Sequence, residues 1–263
     1  METWKEFEKS CYIYLVREYG KFCSFEPLGE SDSTSSDIRV ITKNNGKFFV
    51  ETKEAVAQCG QFVLYPDEEN GKFVYYPRNK SPLNKYSQDI IDYMSDNFRA
   101  FAEAGTRGCN INVPDKVFYG WIKNYYASKN VRFFITKASN YIIFPIEQFE
   151  KYFAVSATYR VKRSGSSDPA KSNVPEIRCT LSTLNCNYEL LTANGKMYVK
   201  TNRDIDGLKL KGLKYTYLFN QTEHNIFNIR KLSNTENANV IFSISLKKEQ
   251  DIIDLREFEN CIN

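Results

Sequence analysis

A chain of 263 residues, 42% of them hydrophobic, can build a substantial core, as one large or two modest domains. Its seven cysteines are scattered with no CxxC pair, and there is one histidine, His224, so structural zinc, Ser-His-Asp or Cys-His catalysis and His-rich metal sites are disfavoured. The net charge of +4 is modest, no apolar run approaches 18 residues, and the first residues lack signal-peptide character, so a cytoplasmic protein with free thiols is expected.

Residues Thr3–Tyr19 read as an amphipathic helix, with Trp4, Phe7, Cys11, Tyr14 or Leu15, and Tyr19 at helical spacing. Glu8 falls on or beside that stripe; a carboxylate there needs a metal, an Arg or a hydrogen-bond donor, unless it bends out to solvent. A strand near Lys21–Glu26 follows, then a Ser-rich loop containing Asp32. Asp37–Thr42 and Lys47–Lys53 are rich in Val, Ile and Phe and flank the turn signal Asn44-Asn45-Gly46, which predicts a β-hairpin.

In a strand, positions i and i+2 share a face, so Glu51 and Lys53 project together while Val50 and Thr52 face the other way. The turn brings Asp37 back towards the same end of the ribbon. Glu51-Thr52-Lys53 is the sole acidic-x-Lys triplet in the chain, and its context makes it informative: it ends an apolar strand whose partner strand opens with an acid. Two carboxylates able to share a divalent cation, with an ammonium group beside them, suit metal-dependent phosphodiester hydrolysis. The bland alternative is a surface hairpin with an ordinary Glu and Lys on its wet face. Beyond it, Gln58 and Gln61 lie among small and apolar residues, where an amide could orient a metal-bound water or merely cap a short helix. Leu83–Ala104 and Pro114–Ser128 read as helical, and Val131–Thr136 and Tyr141–Phe144 as strands.

Residues 157–214 carry eleven Lys and Arg against five Asp and Glu, an excess larger than that of the whole chain. Such a segment attracts a polyanion by charge neutralisation and counterion release. Its densest part, Tyr159–Ser166, reads as a strand entering a loop, and Arg160, Lys162, Arg163, Ser164, Ser166 and Lys171 are candidate DNA contacts. Ser164–Pro175 reads as a loop, and the pattern after it is mostly β. Tyr188–Leu191 and Lys196–Thr201 flank Asn194-Gly195, followed by Leu213–Phe219, Ile226–Leu232 and Val240–Leu246, with a terminal helix near Gln250–Glu259. Residues 1–150 are thus expected to form the catalytic core, and 151–263 a basic, β-rich recognition region that packs on it or with it as one unit.

These residues resemble the PD-(D/E)xK nucleases, which include most type II restriction endonucleases. The resemblance covers roughly residues 1–150 and implies an α/β (α+β) fold with a mixed sheet flanked by helices: a helix, a three-strand antiparallel meander, a helix, and a strand parallel to the third. By it, Asp37 matches the first metal-binding acid, Glu51 the second and Lys53 the catalytic lysine. Glu8 resembles the helix glutamate of some members, and Gln61 (or Gln58) a glutamine many carry after the lysine. Ser36 stands where the motif's name has proline, which leaves Asp32 as an alternative to Asp37. The resemblance implies Mg²⁺ as cofactor, double-stranded DNA as substrate, a homodimer on a short palindromic site, and a bacterial or archaeal cell. A structure-directed repair or recombination nuclease, an RNA-directed nuclease and a non-catalytic DNA-binding protein are the alternative expectations.

Overall fold

The computed structural model describes residues 4–28, 36–163, 165–234 and 236–263, with Arg163 as backbone only. Two compact units emerge: residues 1–160 together with 238–263, and residues 161–237.

The first unit opens with α1 (Trp4–Tyr19) and the strands β1 (Cys23–Pro27), β2 (Ile38–Thr42) and β3 (Lys47–Thr52). There follow β4 (Val56–Asp67), β5 (Lys72–Tyr75), α2 (Lys85–Asp96), α3 (Phe98–Ala102), β6 (Cys109–Asn110) and α4 (Asp115–Ala127). Next come β7 (Val131–Lys137), β8 (Tyr141–Pro145), the short α5 (Phe149–Tyr152) and β9 (Phe153–Arg163), which leads into the second unit.

The meander expected from sequence is present. β1, β2 and β3 pair antiparallel, β7 runs parallel to β3, and β8 closes the sheet in the order β1-β2-β3-β7-β8. Alternation sorts its side chains. Val40, Phe48, Val50, Phe133 and Ile135 join a core with Phe7, Cys11, Leu15 and Tyr19 of α1. Phe134 and Phe144 point the other way and meet Tyr126 of α4 and Phe149 of α5. The sheet is therefore covered on both faces, as a parallel pairing at its centre requires.

A second sheet in this unit has the order β5-β4-β16-β9-β6, where β16 (Glu236–Leu246) comes from near the C-terminus. β4 was not foreseen: the stretch around Gln58 and Gln61 is a twelve-residue strand, not a capped helix. Its alternation is broken at Gly60, whose φ of +103° suits glycine and where a Cβ would lie 2.8 Å from the Trp121 ring.

The expected division near residue 150 also differs from the fold, because the last 26 residues return to the first unit. β16 pairs with β4 (Val240 opposite Phe62), and α7 (Ile252–Ile262) sets Phe258 edge-on to Phe133 and Tyr19, at 5.2 Å in each case. α7 is clasped by Lys151, which bonds Asp251 and Asp254 at 2.8 Å each, and by Tyr152, whose hydroxyl donates to Asp254 at 2.5 Å. The Lys151 bond holds the half-buried Asp251 carboxyl down at about 2.

The second unit contains β10 (Ser166–Ser167), α6 (Val174–Ser182), β11 (Tyr188–Ala193), β12 (Lys196–Thr201), β13 (Lys209–Lys211), β14 (Thr216–Glu223) and β15 (Ile226–Leu232). They form one antiparallel sheet, β11-β12-β15-β14-β13, with β10 added to β15. Ile177 and Leu181 of α6 pack on Val199, Tyr217, Phe219, Phe227 and Ile229. This helix lies where a loop and further strands were expected; Pro175 sits in its first turn, where a missing N–H costs nothing. Asn194 and Gly195 both have positive φ and close the β11–β12 turn as anticipated.

Candidate active site

The β2–β3 hairpin carries the site. Ile38 pairs with Val50 and Val40 with Phe48, so one step further along the register sets Asp37 opposite Glu51. Thr52 sits between them in function: its N–H and its hydroxyl both donate to Asp37 Oδ2, at 2.9 and 2.7 Å. One oxygen of Asp37 is thus fixed by two hydrogen bonds. Lys53 follows β3, with its backbone N–H still bonded to Ile135 O at 3.0 Å, and its ammonium donates to Glu51 Oε1 at 2.5 Å and to Thr52 O at 3.0 Å.

The electrostatics follow from burial. Glu51 is only 6% exposed, and burial pushes its carboxyl up; Lys53 draws it back, and the neighbouring Asp37 raises it again. Burial works against the Lys53 charge too, but the Glu51 and Asp37 carboxylates outweigh it and hold its pKa above the ordinary ammonium value. Two carboxylates and one lysine are thus packed together at the end of a buried strand.

Sequence reasoning missed four neighbours. The Cys59 thiol is fully buried, donates to Tyr126 Oη at 3.8 Å, and is pushed by burial up to about 12. The Tyr126 ring lies 5.7 Å from the Lys53 ammonium. Lys129, just beyond α4, acts electrostatically on Glu51, and Thr52 holds Asp37 as described. Cys59 and Tyr126 are 67 positions apart in sequence, so no local spacing could have joined them.

The remaining expected residues are distributed as follows. Glu8 is half-buried on α1 beside buried Phe7. Gln58 and Gln61 are exposed on β4, and the Gln58 amide donates to Gln61 Oε1 at 3.2 Å. Ser36 is buried, and its hydroxyl has no hydrogen-bond partner among the described residues. Asp32 lies outside the described residues, as do Ser164 and the Arg163 side chain. Arg160 is exposed on β9, Lys162 is half-buried, and Lys171 is exposed in a 3₁₀ turn before α6. Ser166 is held by Arg230, whose Nε donates to its Oγ at 3.2 Å and whose Nη2 donates to its carbonyl at 2.9 Å; Arg230 also pairs with Asp168.

Among known structures, the chain is similar to HhaI endonuclease solved in complex with DNA, with a TM-score of 0.90 and 42% identity over 99% of each chain. No protein-family model and no curated protein matches it. Fold, site and likeness together define the class, a type II restriction endonuclease. At this identity and coverage the relationship extends beyond fold. The chain belongs to the family of HhaI endonuclease.

Proposed function

We propose that this endonuclease hydrolyses phosphodiester bonds of double-stranded DNA at a specific short sequence, with Mg²⁺ held by Asp37 and Glu51 and with Lys53 as the catalytic lysine. The observation that carries the reading is the linked cluster Asp37–Thr52–Glu51–Lys53 at the end of one buried hairpin. The donor set fits the ion: both candidate ligands are hard carboxylate oxygens, and two of them suit a cation that keeps several waters and takes further oxygens from phosphate. Bound there, Mg²⁺ would acidify a water and offset the charge that builds on the scissile phosphate.

The chain's own groups do the rest. Thr52 fixes Asp37 Oδ2 and so orients the carboxylate that would hold the cation. Lys53 is held as an ammonium against Glu51, close enough to orient the attacking water and to counter phosphate charge. Glu8 on α1 and Gln61 (or Gln58) on β4 are assigned supporting roles on the family resemblance alone. The second unit, with Lys162, Ser166 and Lys171, is assigned to DNA recognition on its basic composition, with Arg160 on the strand that enters it. A two-fold homodimer would set one hairpin against each strand of a palindromic site. No helix among the described residues is long and apolar enough to cross a membrane.

The test is incubation of the protein with a mixed-sequence linear duplex in Mg²⁺ or EDTA, beside Asp37→Ala and Lys53→Ala. Discrete fragments that require Mg²⁺ are expected, with each substitution lowering the rate by about 10²–10³-fold or more. Cleavage that persists in EDTA or in both variants would refute the assignment.

A further inference from the structure

Lys129 is a half-buried lysine just past the end of α4, and it makes no ion pair with an acid among the described residues. Its ammonium stands 4.5 Å from the Tyr125 ring centroid and 5.8 Å from that of Tyr126. The Lys53 ammonium lies 5.7 Å from the same Tyr126 ring. Two ammonium groups therefore share one aromatic ring, and both act on Glu51. The turn that carries Lys129 is fixed to the catalytic hairpin: Asn130 donates from its side chain to Lys47 O at 3.1 Å and accepts from Phe49 N–H at 3.0 Å.

A cation over aromatic faces is held in place by the ring quadrupoles, yet its N–H donors stay available for an anion. A lysine used only to balance charge would pair with an acid, as Lys53 does with Glu51 and Lys123 with Glu150. Here the aromatic pair presents an uncommitted ammonium beside the catalytic cluster. The ligand it suits is a further anion brought in with the substrate.

We propose that Lys129 is a second phosphate-binding ammonium of the active site, contacting a backbone phosphate of the bound duplex beside the one that is cut. This inference rests on the reading of Asp37, Glu51 and Lys53 as the catalytic cluster. It gives Lys129 a direct contact with substrate, distinct from the oriented water and scissile phosphate assigned to Lys53. Lys129→Met is the informative variant, because it keeps an alkyl stem against Tyr125 and removes the charge.

Binding of a mixed-sequence linear DNA duplex would be measured in EDTA across a salt series, and single-turnover cleavage of the same duplex in Mg²⁺, for the wild type, Lys129→Met, Lys129→Arg and Lys53→Ala. One lost phosphate contact makes the slope of log K against log salt shallower by about 0.9. That change is expected for Lys129→Met, with a cleavage rate lower by about 10-fold or more, an unaltered melting temperature and recovery of the slope in Lys129→Arg. A wild-type slope in Lys129→Met would overturn the proposal. So would equal losses in Met and Arg variants accompanied by a lowered melting temperature, since that pattern marks a packing role. The binding arm does not depend on cleavage. If Lys53→Ala still cuts at the wild-type rate, the catalytic assignment fails by itself, whatever the slopes report.

Discussion

The two units handle a carboxylate in opposite ways. In the first, Glu51 sits at the end of β3 with Asp37 across the hairpin and Lys53 beside it, and burial leaves its carboxyl raised. In the second, Glu176 on α6 also resists burial, but it accepts from Lys214 N–H at 2.5 Å, Tyr215 N–H at 3.0 Å and the Tyr217 hydroxyl at 2.9 Å, and its carboxyl is lowered. Gly212 leaves room for this arrangement, since a Cβ there would fall 2.6 Å from Glu176 Oε1. One carboxylate is satisfied by the fold. The other is paired with Lys53 yet stays raised, because it is buried with a second carboxylate, Asp37, beside it.

Substitutions can break or sharpen that contrast. The largest effect is expected from Thr52→Val, which keeps shape and removes the hydroxyl that holds Asp37 Oδ2. Metal affinity, read by calorimetric titration with a divalent cation on the DNA complex, should fall about 10–100-fold, as it does when an outer partner of a metal ligand is lost. Thr52→Ser should recover most of it, and an unchanged affinity in Thr52→Val would remove Thr52 from the site.

In the second unit, Glu176→Ala removes the shared acceptor of two backbone N–H groups and a hydroxyl. Denaturant unfolding should show a loss of about 1–3 kcal/mol, with no change in the divalent-cation affinity of the first unit. The smallest effect is one of pH. Because the folded pKa of Glu176 lies below its ordinary 4.5, the unfolded chain binds the proton more tightly. Its contribution is complete above pH 4.5 and is lost as pH falls through the depressed folded value. Acid titration of Glu176→Gln should therefore show less loss of stability below pH 4.5 than the wild type. A parallel pair of curves would mean that the three hydrogen bonds do not favour the charged form.

How much of this could be read from the chain depended on where each contact lies. The hairpin was legible because its signals are local: a turn at Asn44-Asn45-Gly46, alternating apolar residues, and charges at i and i+2. The parallel partner β7 followed from the order of elements that the family resemblance implied, and β3 and β7 do pair in that sense. β4 was obscured because Gly60 interrupts its alternation and two exposed glutamines replace the usual β-branched residues. α6 was hidden in a stretch whose Ser and Pro content reads as loop, although proline is well tolerated in a first helical turn. The aromatic setting of Lys53 and Lys129 was beyond reach, since Tyr126 approaches the hairpin only once α4 has packed on the sheet. The C-terminal boundary was misjudged for a similar reason: β16 finds its partner in β4, far upstream.

The connectivity of β9 and β16 has a consequence for how such enzymes diversify. These strands are neighbours in one sheet, and the whole segment 161–237 runs between them. The polypeptide thus leaves the first unit and re-enters it through adjacent strands, so the intervening segment is an insertion with both ends side by side. An insertion of this kind can be lengthened, trimmed or exchanged without rethreading the sheet or disturbing the hairpin at Glu51. On the proposed assignment of recognition to this segment, cutting chemistry and target choice can change at separate rates, and grafting a relative's segment between the same two strands tests that assignment directly.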